Sequence, residues 1–252
     1  ALIETAFISN AQDANILKNR QDDLALAIAK GILNYLGIRY KEGISLKKST
    51  FYKIDDAYII ETTPDNVEIK ILGDTLHQAK VYGINGTFFD TNTAPVTNPE
   101  SCVFIAVNNG KALSNNAQFN GWKAPPRATL IYHTNKKLGF RQLQDISTIK
   151  NSTIWAIGGY MIKPYMDFEN EKIPGSINYK TAHTYIGYDV EGKTYLIVKP
   201  NHYIKEIIPL MNKLSITKAL VLDGGGSSQL NHPGGGFKSS RKINSAVLLK
   251  QI

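Results

Sequence analysis

From about residue 65 onward the chain breaks into short apolar runs of strand length separated by Gly, Asn and Pro. That spacing constrains the fold more than any other feature of the sequence. Val67-Glu68-Ile69-Lys70-Ile71 alternates with period two, as a strand with one buried face does. Residues 104–107 and 111–113 flank Asn108-Asn109-Gly110. Asn-Gly accommodates the positive φ of a tight turn, so this segment reads as a hairpin. Further strands are expected at residues 128–132, 153–157, 184–188, 194–198 and 219–222, after a first strand near Tyr58-Ile59-Ile60. A helix is expected over 204–214, with Pro209 in its first turns or kinking it, because proline lacks the N–H of a helix interior. Many strands with isolated helices predict an α+β fold, a mixed, largely antiparallel twisted sheet covered by helices.

Residues 1–50 differ from the rest. Between Asp13 and Leu36, Leu17, Leu24, Ile28, Ile32 and Tyr35 recur near helical spacing, and Gly37 follows as a stop. Leu17, Leu24 and Gly31 lie seven apart, which hints at a short coiled coil, although clean heptads are few. Residues 38–60, polar and basic and then aromatic, read as a linker entering the first strand. The expected organisation is an N-terminal helical appendage over 1–50, for attachment or homo-oligomerisation, and a functional domain over 51–252.

Composition closes several routes. No run approaches the roughly 18 apolar residues of a membrane span. Ala1-Leu2-Ile3-Glu4 lacks the pattern of a signal peptide, and the missing initial Met reads as a processed chain or an excised fragment. The single cysteine, Cys102, excludes an internal disulfide and sits among apolar residues as a packed thiol. His77, His133, His202 and His232 are scattered without metal-ligand spacing, so no transition metal and no cofactor is expected. Calcium held by carboxylates and carbonyls stays open.

The net charge is +8, and its distribution is uneven. Residues 101–144 hold no acidic side chain beside Lys111, Lys123, Arg127, Lys136, Lys137 and Arg141. Residues 224–252 again hold none, beside Lys238, Arg241, Lys242 and Lys250. Such stretches suit an anionic ligand, whether sugar phosphate, polyphosphate wall polymer or nucleic acid. The lack of a helix-turn-helix, zinc-finger or RNP-like pattern counts against nucleic acid.

Three segments place glycine at an expected strand end with polar residues beside it: 82–90, 155–160 and 219–228. In the third, a buried run delivers Asp223 to the sheet edge. Gly224, Gly225 and Gly226 then let the backbone turn closely around a ligand, with Ser227 and Ser228 following. Successive N–H groups in such a turn form an anion-binding nest. No Gly-Lys-Ser/Thr follows, so this is not a Walker loop, and Gln229 excludes a Gly-x-Ser-x-Gly elbow.

Taken in order, these motifs resemble the phosphodiester glycosidase family, over roughly residues 67–249. Asn85-Gly86-Thr87-Phe88-Phe89 is similar to the family's Asn-Gly-Gly-Phe-Phe, with Thr87 in place of a glycine. Gly158-Gly159 looks like its Gly-Gly strand end, and Leu222 to Ser228 matches its Leu-Asp-Gly-Gly-Gly-Ser-Ser residue by residue. Arg241-Lys242-Ile243-Asn244-Ser245-Ala246 is similar to its closing motif. Where the family usually shows Arg-Thr-Ala-Ile-Gly, this chain reads His183-Thr184-Tyr185-Ile186-Gly187. The resemblance implies release of a sugar joined through its anomeric carbon to phosphate. An N-terminal helix joined to such a basic domain suits a secreted wall enzyme or phage tail component acting on teichoic-acid-like polymers, outside the cell, at its surface or on a virion.

Departing phosphate carries its own negative charge, so this reaction needs a carboxylate at the anomeric carbon and donors at the phosphate more than it needs an acid. Asp223 is the first candidate carboxylate and Asp90 the second. His183 and Arg241 are candidates for phosphate contact, and Asn85 for a sugar hydroxyl or acetamido group. Gly86, Thr184 and the N–H groups of Gly224, Gly225, Gly226, Ser227 and Ser228 complete the expected site. His183 and Thr87 keep another reading in view, a carbohydrate-binding or adhesion module of the same fold, as in a phage tail, without hydrolysis. The basic stretches keep a third, a nucleic-acid or nucleotide-processing protein that hydrolyses a sugar–phosphate link in a nucleotide derivative.

Overall fold

The computed structural model describes residues 9–19, 21–37, 48–115, 118–119, 122–123, 125–163 and 173–252. The chain divides into two compact units, 1–46 and 47–252. The first contains α1 (Ala11–Asn19) and α2 (Gln21–Tyr35), two helices where the sequence reads as one. Gly37 follows with φ +70°, the left-handed conformation of a helix stop. Of the expected linker, residues 38–47 lie outside the described residues.

The second unit carries seventeen strands among its described residues. They are β1 (Ser49–Ile54), β2 (Ala57–Thr62), β3 (Val67–Asp74), β4 (Gly83–Asn85), β5 (Ala106–Asn108), β6 (Lys111–Ser114), β7 (Gln118–Phe119), β8 (Trp122–Lys123) and β9 (Arg127–His133). There follow β10 (Leu138–Leu143), β11 (Thr153–Lys163), β12 (Thr181–Asp189), β13 (Thr194–His202), β14 (Ile216–Val221), β15 (Leu230–His232), β16 (Gly235–Phe237) and β17 (Ile243–Leu249). The larger sheet has ten strands, ordered β1-β2-β13-β12-β14-β11-β5-β6, with β9 also pairing β11 and β10 pairing β9. The smaller has the order β16-β15-β4-β17-β3, and every pairing is antiparallel.

This corrects the expected helix-covered α+β fold. The protein is mostly β, with strands over 45% and helix over 17% of it. The reason lies in what covers each sheet. Ile60, Ile186, Leu196, Val198 and Leu220 of the large sheet share one core with Ile69, Ile84, Leu230 and Val247 of the small sheet. The sheets therefore bury each other's inner faces as a sandwich does. Their neighbours along the same strands, Ile59, Tyr185, Ile197 and Val221, point outward and are covered by Ile207 and Met211. Those two belong to a 3₁₀ turn (Ile204–Ile207) and α3 (Ile208–Lys213). Pro209 stands at the start of α3, where its missing N–H costs nothing. Elsewhere on the outer face Leu143, Ile146 and Ile149 cover Ile105, Val107 and Ile131. One short helix thus covers part of one outer face.

Two local expectations also change. Residues 49–54, read as linker, form β1, paired with β2 from Ser49↔Thr62 to Ile54↔Ala57. Gly158-Gly159 lies inside β11 and not at a strand end. There β11 leaves β5 and β9 and continues against β14. A Cβ on Gly159 would lie 2.5 Å from the Val221 carbonyl oxygen, so the crowded junction requires glycine. The hairpin at Asn109-Gly110 forms as expected, both residues having positive φ. Cys102 is a buried free thiol, and burial pushes its pKa up to about 11.

Candidate active site

The strand β14 ends at Val221, and two residues later Asp223 enters a cavity of about 140 Å³. Its carboxylate accepts from its neighbour's N–H, Gly224, at 3.0 Å. Burial drives the carboxyl pKa up to about 6, while Ser227, Arg241 and the Gly224 N–H act in the opposite direction. Ser227 opposes burial most strongly of the three, although its buried hydroxyl completes no hydrogen bond of good geometry. Burial wins, but a pKa near 6 still leaves the group ionised at neutral pH.

The turn after Asp223 is built as the glycines imply. Gly225 has φ +60°, and a 3₁₀ turn spans Gly225–Ser227. The N–H groups of Ser227 and Ser228 close on the carbonyls of Gly224 and Gly225. Those of Gly225 and Gly226 donate to no group among the described residues. The Ser228 hydroxyl is spent on the Ala182 carbonyl at 3.0 Å.

Arg241 lines the same cavity. Its guanidinium lies over the Phe89 ring, 5.4 Å from the centroid. The Gln229 side chain holds the Arg241 carbonyl at 2.7 Å, and the Ser239 hydroxyl bridges the Arg241 N–H and the Gly226 carbonyl. Of the residues in the two acid-free basic stretches, Arg241 is the one cation among the described lining. Lys136 is paired with Asp65 at 2.5 Å instead.

His183 also lines the cavity, on β12. Its Nε2 sits 3.0 Å from the Tyr179 carbonyl, and its ring meets that of His202 edge to face at 5.1 Å. Burial lowers the pKa of His183, and it lowers that of His202 to about 4. Both rings are therefore neutral at physiological pH.

The other expected residues fall elsewhere. Asn85 is buried, and its oxygen accepts from the Thr184 hydroxyl at 2.7 Å and the Gln229 N–H at 2.9 Å. Its amide donates to the Asp223 carbonyl at 2.8 Å. Asn85 and Thr184 are thus fastened to each other beneath the Asp223 turn and lie outside the cavity lining. Gly86 donates to the Ser245 carbonyl at 2.7 Å, and its own carbonyl accepts from the Asp223 N–H. Asp90 is apart from the lining: its carboxylate accepts from the Asn92 N–H at 2.9 Å and closes a loop. Ser176, Tyr179 and Thr181 line the cavity without having been singled out in the sequence. Phe88, Ile177 and Ile204 supply apolar lining. Among the described residues no group of three or more His, Cys, Asp or Glu could hold a metal ion. Nor is any helix there long and apolar enough to cross a membrane.

A single described carboxylate and a guanidinium in one small cleft, beside a turn with unspent backbone N–H groups, suit displacement at a carbon that carries an anionic leaving group. The profile of the phosphodiester glycosidases matches residues 78–250, and the chain belongs to that family. A comparison with curated proteins finds no match. Among solved structures the fold is similar to the catalytic domain of zebrafish N-acetylglucosamine-1-phosphodiester alpha-N-acetylglucosaminidase, in a form auto-inhibited by its pro-peptide. That likeness has a TM-score of 0.61 at 18% identity and covers 81% of this chain and 82% of the other. A hypothetical protein from Synechocystis is similar with a TM-score of 0.55 at 10% identity, over 79% of this chain and 61% of the other.

Proposed function

We propose that the chain hydrolyses a sugar-1-phosphodiester, cleaving the bond between the anomeric carbon and the phosphate oxygen. The observation that carries this reading is the Asp223 carboxylate, set in one cleft with Arg241 and with the unspent N–H groups beside it. As the bond breaks, its electron pair leaves with the phosphate oxygen, where Arg241 and the N–H groups of Gly225 and Gly226 meet the charge. Asp223 attacks the anomeric carbon, giving a glycosyl-enzyme that water then hydrolyses, or draws the proton from a water that attacks the carbon directly. Free sugar and a phosphomonoester result. Phosphate departs without a proton, so the absence of a second carboxylate from the described lining is no obstacle. Asn85 and Thr184 act as positioning residues, holding the Asp223 turn from below.

The small cavity, lined by Phe88 and by the hydroxyl-bearing Ser176, Tyr179 and Thr181, suits one sugar ring. A polymer of glycosyl phosphates, such as a teichoic-acid-like wall polymer met outside the cell or from a virion, is the natural class of substrate, and the net charge of +8 favours such an anion. The zebrafish relative's name makes N-acetylglucosamine 1-phosphodiesters the first compounds to try. The test is mass-spectrometric detection of free sugar from a panel of glycosyl phosphodiesters and matched neutral glycosides. Sugar released from the phosphodiesters by the natural protein, and not by Asp223→Asn, is the expected result. Binding without release would identify a carbohydrate-binding module instead.

A further inference from the structure

We infer that His183 presents a hydrogen-bond acceptor to the cavity, and so selects an O–H or N–H of the sugar and turns the phosphate away toward Arg241. The inference rests on the glycosyl phosphodiester reading of this cleft and adds the direction in which the substrate lies. A carbonyl oxygen only accepts, so the contact between Nε2 and the Tyr179 carbonyl at 3.0 Å places the ring proton on Nε2. The His202 backbone also favours a protonated ring nitrogen, but burial outweighs both and keeps the ring neutral. In a neutral imidazole the other nitrogen, Nδ1, is then a lone pair.

The one hydrogen bond of good geometry that the ring makes to the described residues is at Nε2, and none of that quality reaches Nδ1. It faces Gly224: a Cβ on that glycine would come within 3.0 Å of it. The absence of a side chain at position 224 keeps the lone pair uncovered beside Asp223. A phosphate oxygen, itself an acceptor, gains nothing there, whereas a sugar hydroxyl or acetamido N–H does. Arg241 lines the cavity two residues further along the turn, where a Cβ on Gly226 would lie 3.4 Å from its Cδ. A donor-seeking His183 at Gly224 and an acceptor-seeking Arg241 at Gly226 thus line the cavity of Asp223 together, and their difference sets which way round a glycosyl phosphate enters.

Two measurements test this on the full chain. Nitrogen-15 correlation spectra of the histidine rings, with His183→Gln to assign the signal, should show His183 protonated at Nε2 alone at neutral pH. A proton on Nδ1 overturns the inference whatever the protein binds. Calorimetric binding to Asp223→Asn then uses methyl phosphodiesters of glucose and N-acetylglucosamine, each with one sugar donor at a time removed or methylated. Loss of one particular donor should weaken binding about tenfold, and the same loss should have no effect once His183→Phe, which keeps a ring and removes the acceptor, is added. His183→Arg, which puts a donor there, should instead tolerate the methylated compound. Equal losses with and without His183 overturn the inference even if the natural protein turns the compounds over. His183-dependent selection without turnover sustains it and overturns the hydrolytic reading alone. Failure of every compound to bind overturns both.

Discussion

The side-chain amide of Asn85 donates to the main-chain carbonyl of Asp223 at 2.8 Å, while its oxygen takes the Thr184 hydroxyl and the Gln229 N–H. One buried side chain of β4 thus joins the small sheet to β12 of the large sheet and to the turn that carries the carboxylate. Asn85→Ala leaves those three partners unsatisfied. It should lower stability by about 2–4 kcal/mol, on the scale of a few orphaned buried groups, and lower turnover as the turn loses its anchor. Denaturant unfolding and steady-state kinetics measure the two effects. A variant of unchanged stability would show that the three bonds are not held in solution.

Asp223→Asn keeps the shape of the side chain and removes its charge. Turnover should fall by roughly a hundredfold or more, the usual scale for a positioned base or nucleophile, with the circular dichroism spectrum retained. Turnover near that of the natural protein in a folded variant would remove Asp223 from the mechanism.

The same carboxyl sets a pH dependence of definite sign. Burial raises its pKa from 3.8 to about 6. Activity should therefore fall as the pH drops through about 6, because the reaction needs the ionised form. Stability runs the other way. A carboxyl whose folded pKa is raised contributes fully below about 3.8, and its contribution is lost as the pH rises through 6. At about 1.4 kcal/mol per pH unit of displacement the loss amounts to about 3 kcal/mol. Asp223→Asn should then be the more stable protein at pH 7, with the gap closing near pH 4. Thermal unfolding of both proteins across that range checks the sign.

Much of the sandwich was legible, since alternation marks strands whatever covers them. Leu196-Ile197-Val198 shows in sequence that both faces of β13 are buried, and it is. It does not show that Leu196 and Val198 meet another sheet while Ile197 meets Ile207 and Met211. The expected helical cover failed on that point. The place of Asp223 at a strand end was legible because a buried run ends in Asp and three glycines turn the chain after it. The surroundings of Asn85 were not, because its partners come from positions 184, 223 and 229, and no local pattern encodes that meeting. Ser176 and Tyr179 reach the cavity from an irregular segment, where periodicity gives no signal.

Arg241 is held in place through its backbone by Gln229 and Ser239, and its guanidinium lies over Phe89. Removing the side chain should therefore disturb binding more than folding. Arg241→Ala should weaken a glycosyl phosphodiester by tenfold or more while barely changing a neutral glycoside of the same sugar. Raising the salt concentration should weaken the phosphodiester moderately by screening. Equal handling of the charged and neutral compounds by both proteins would place the phosphate elsewhere.

The helical unit is expected to serve attachment or assembly, and the strand β1 decides where a truncation can begin. Starting at Tyr52 would remove Ser49, whose hydroxyl meets His232 Nε2 at 3.1 Å, and Phe51, whose ring stacks on His232 at 5.8 Å. It would also remove the Lys48 carbonyl, which accepts from the Thr62 hydroxyl at 2.7 Å and the Asn66 amide at 3.1 Å. Those contacts tie the edge strand to both sheets, so their loss should destabilise the sandwich for reasons unrelated to the helices. A protein beginning at Lys47 keeps all of them and coincides with the start of the second compact unit. It should remain folded and retain turnover, while its mass by light scattering falls if α1 and α2 hold copies together. Loss of folding in the protein that begins at Lys47 would mean that the helices belong to the core of the β unit.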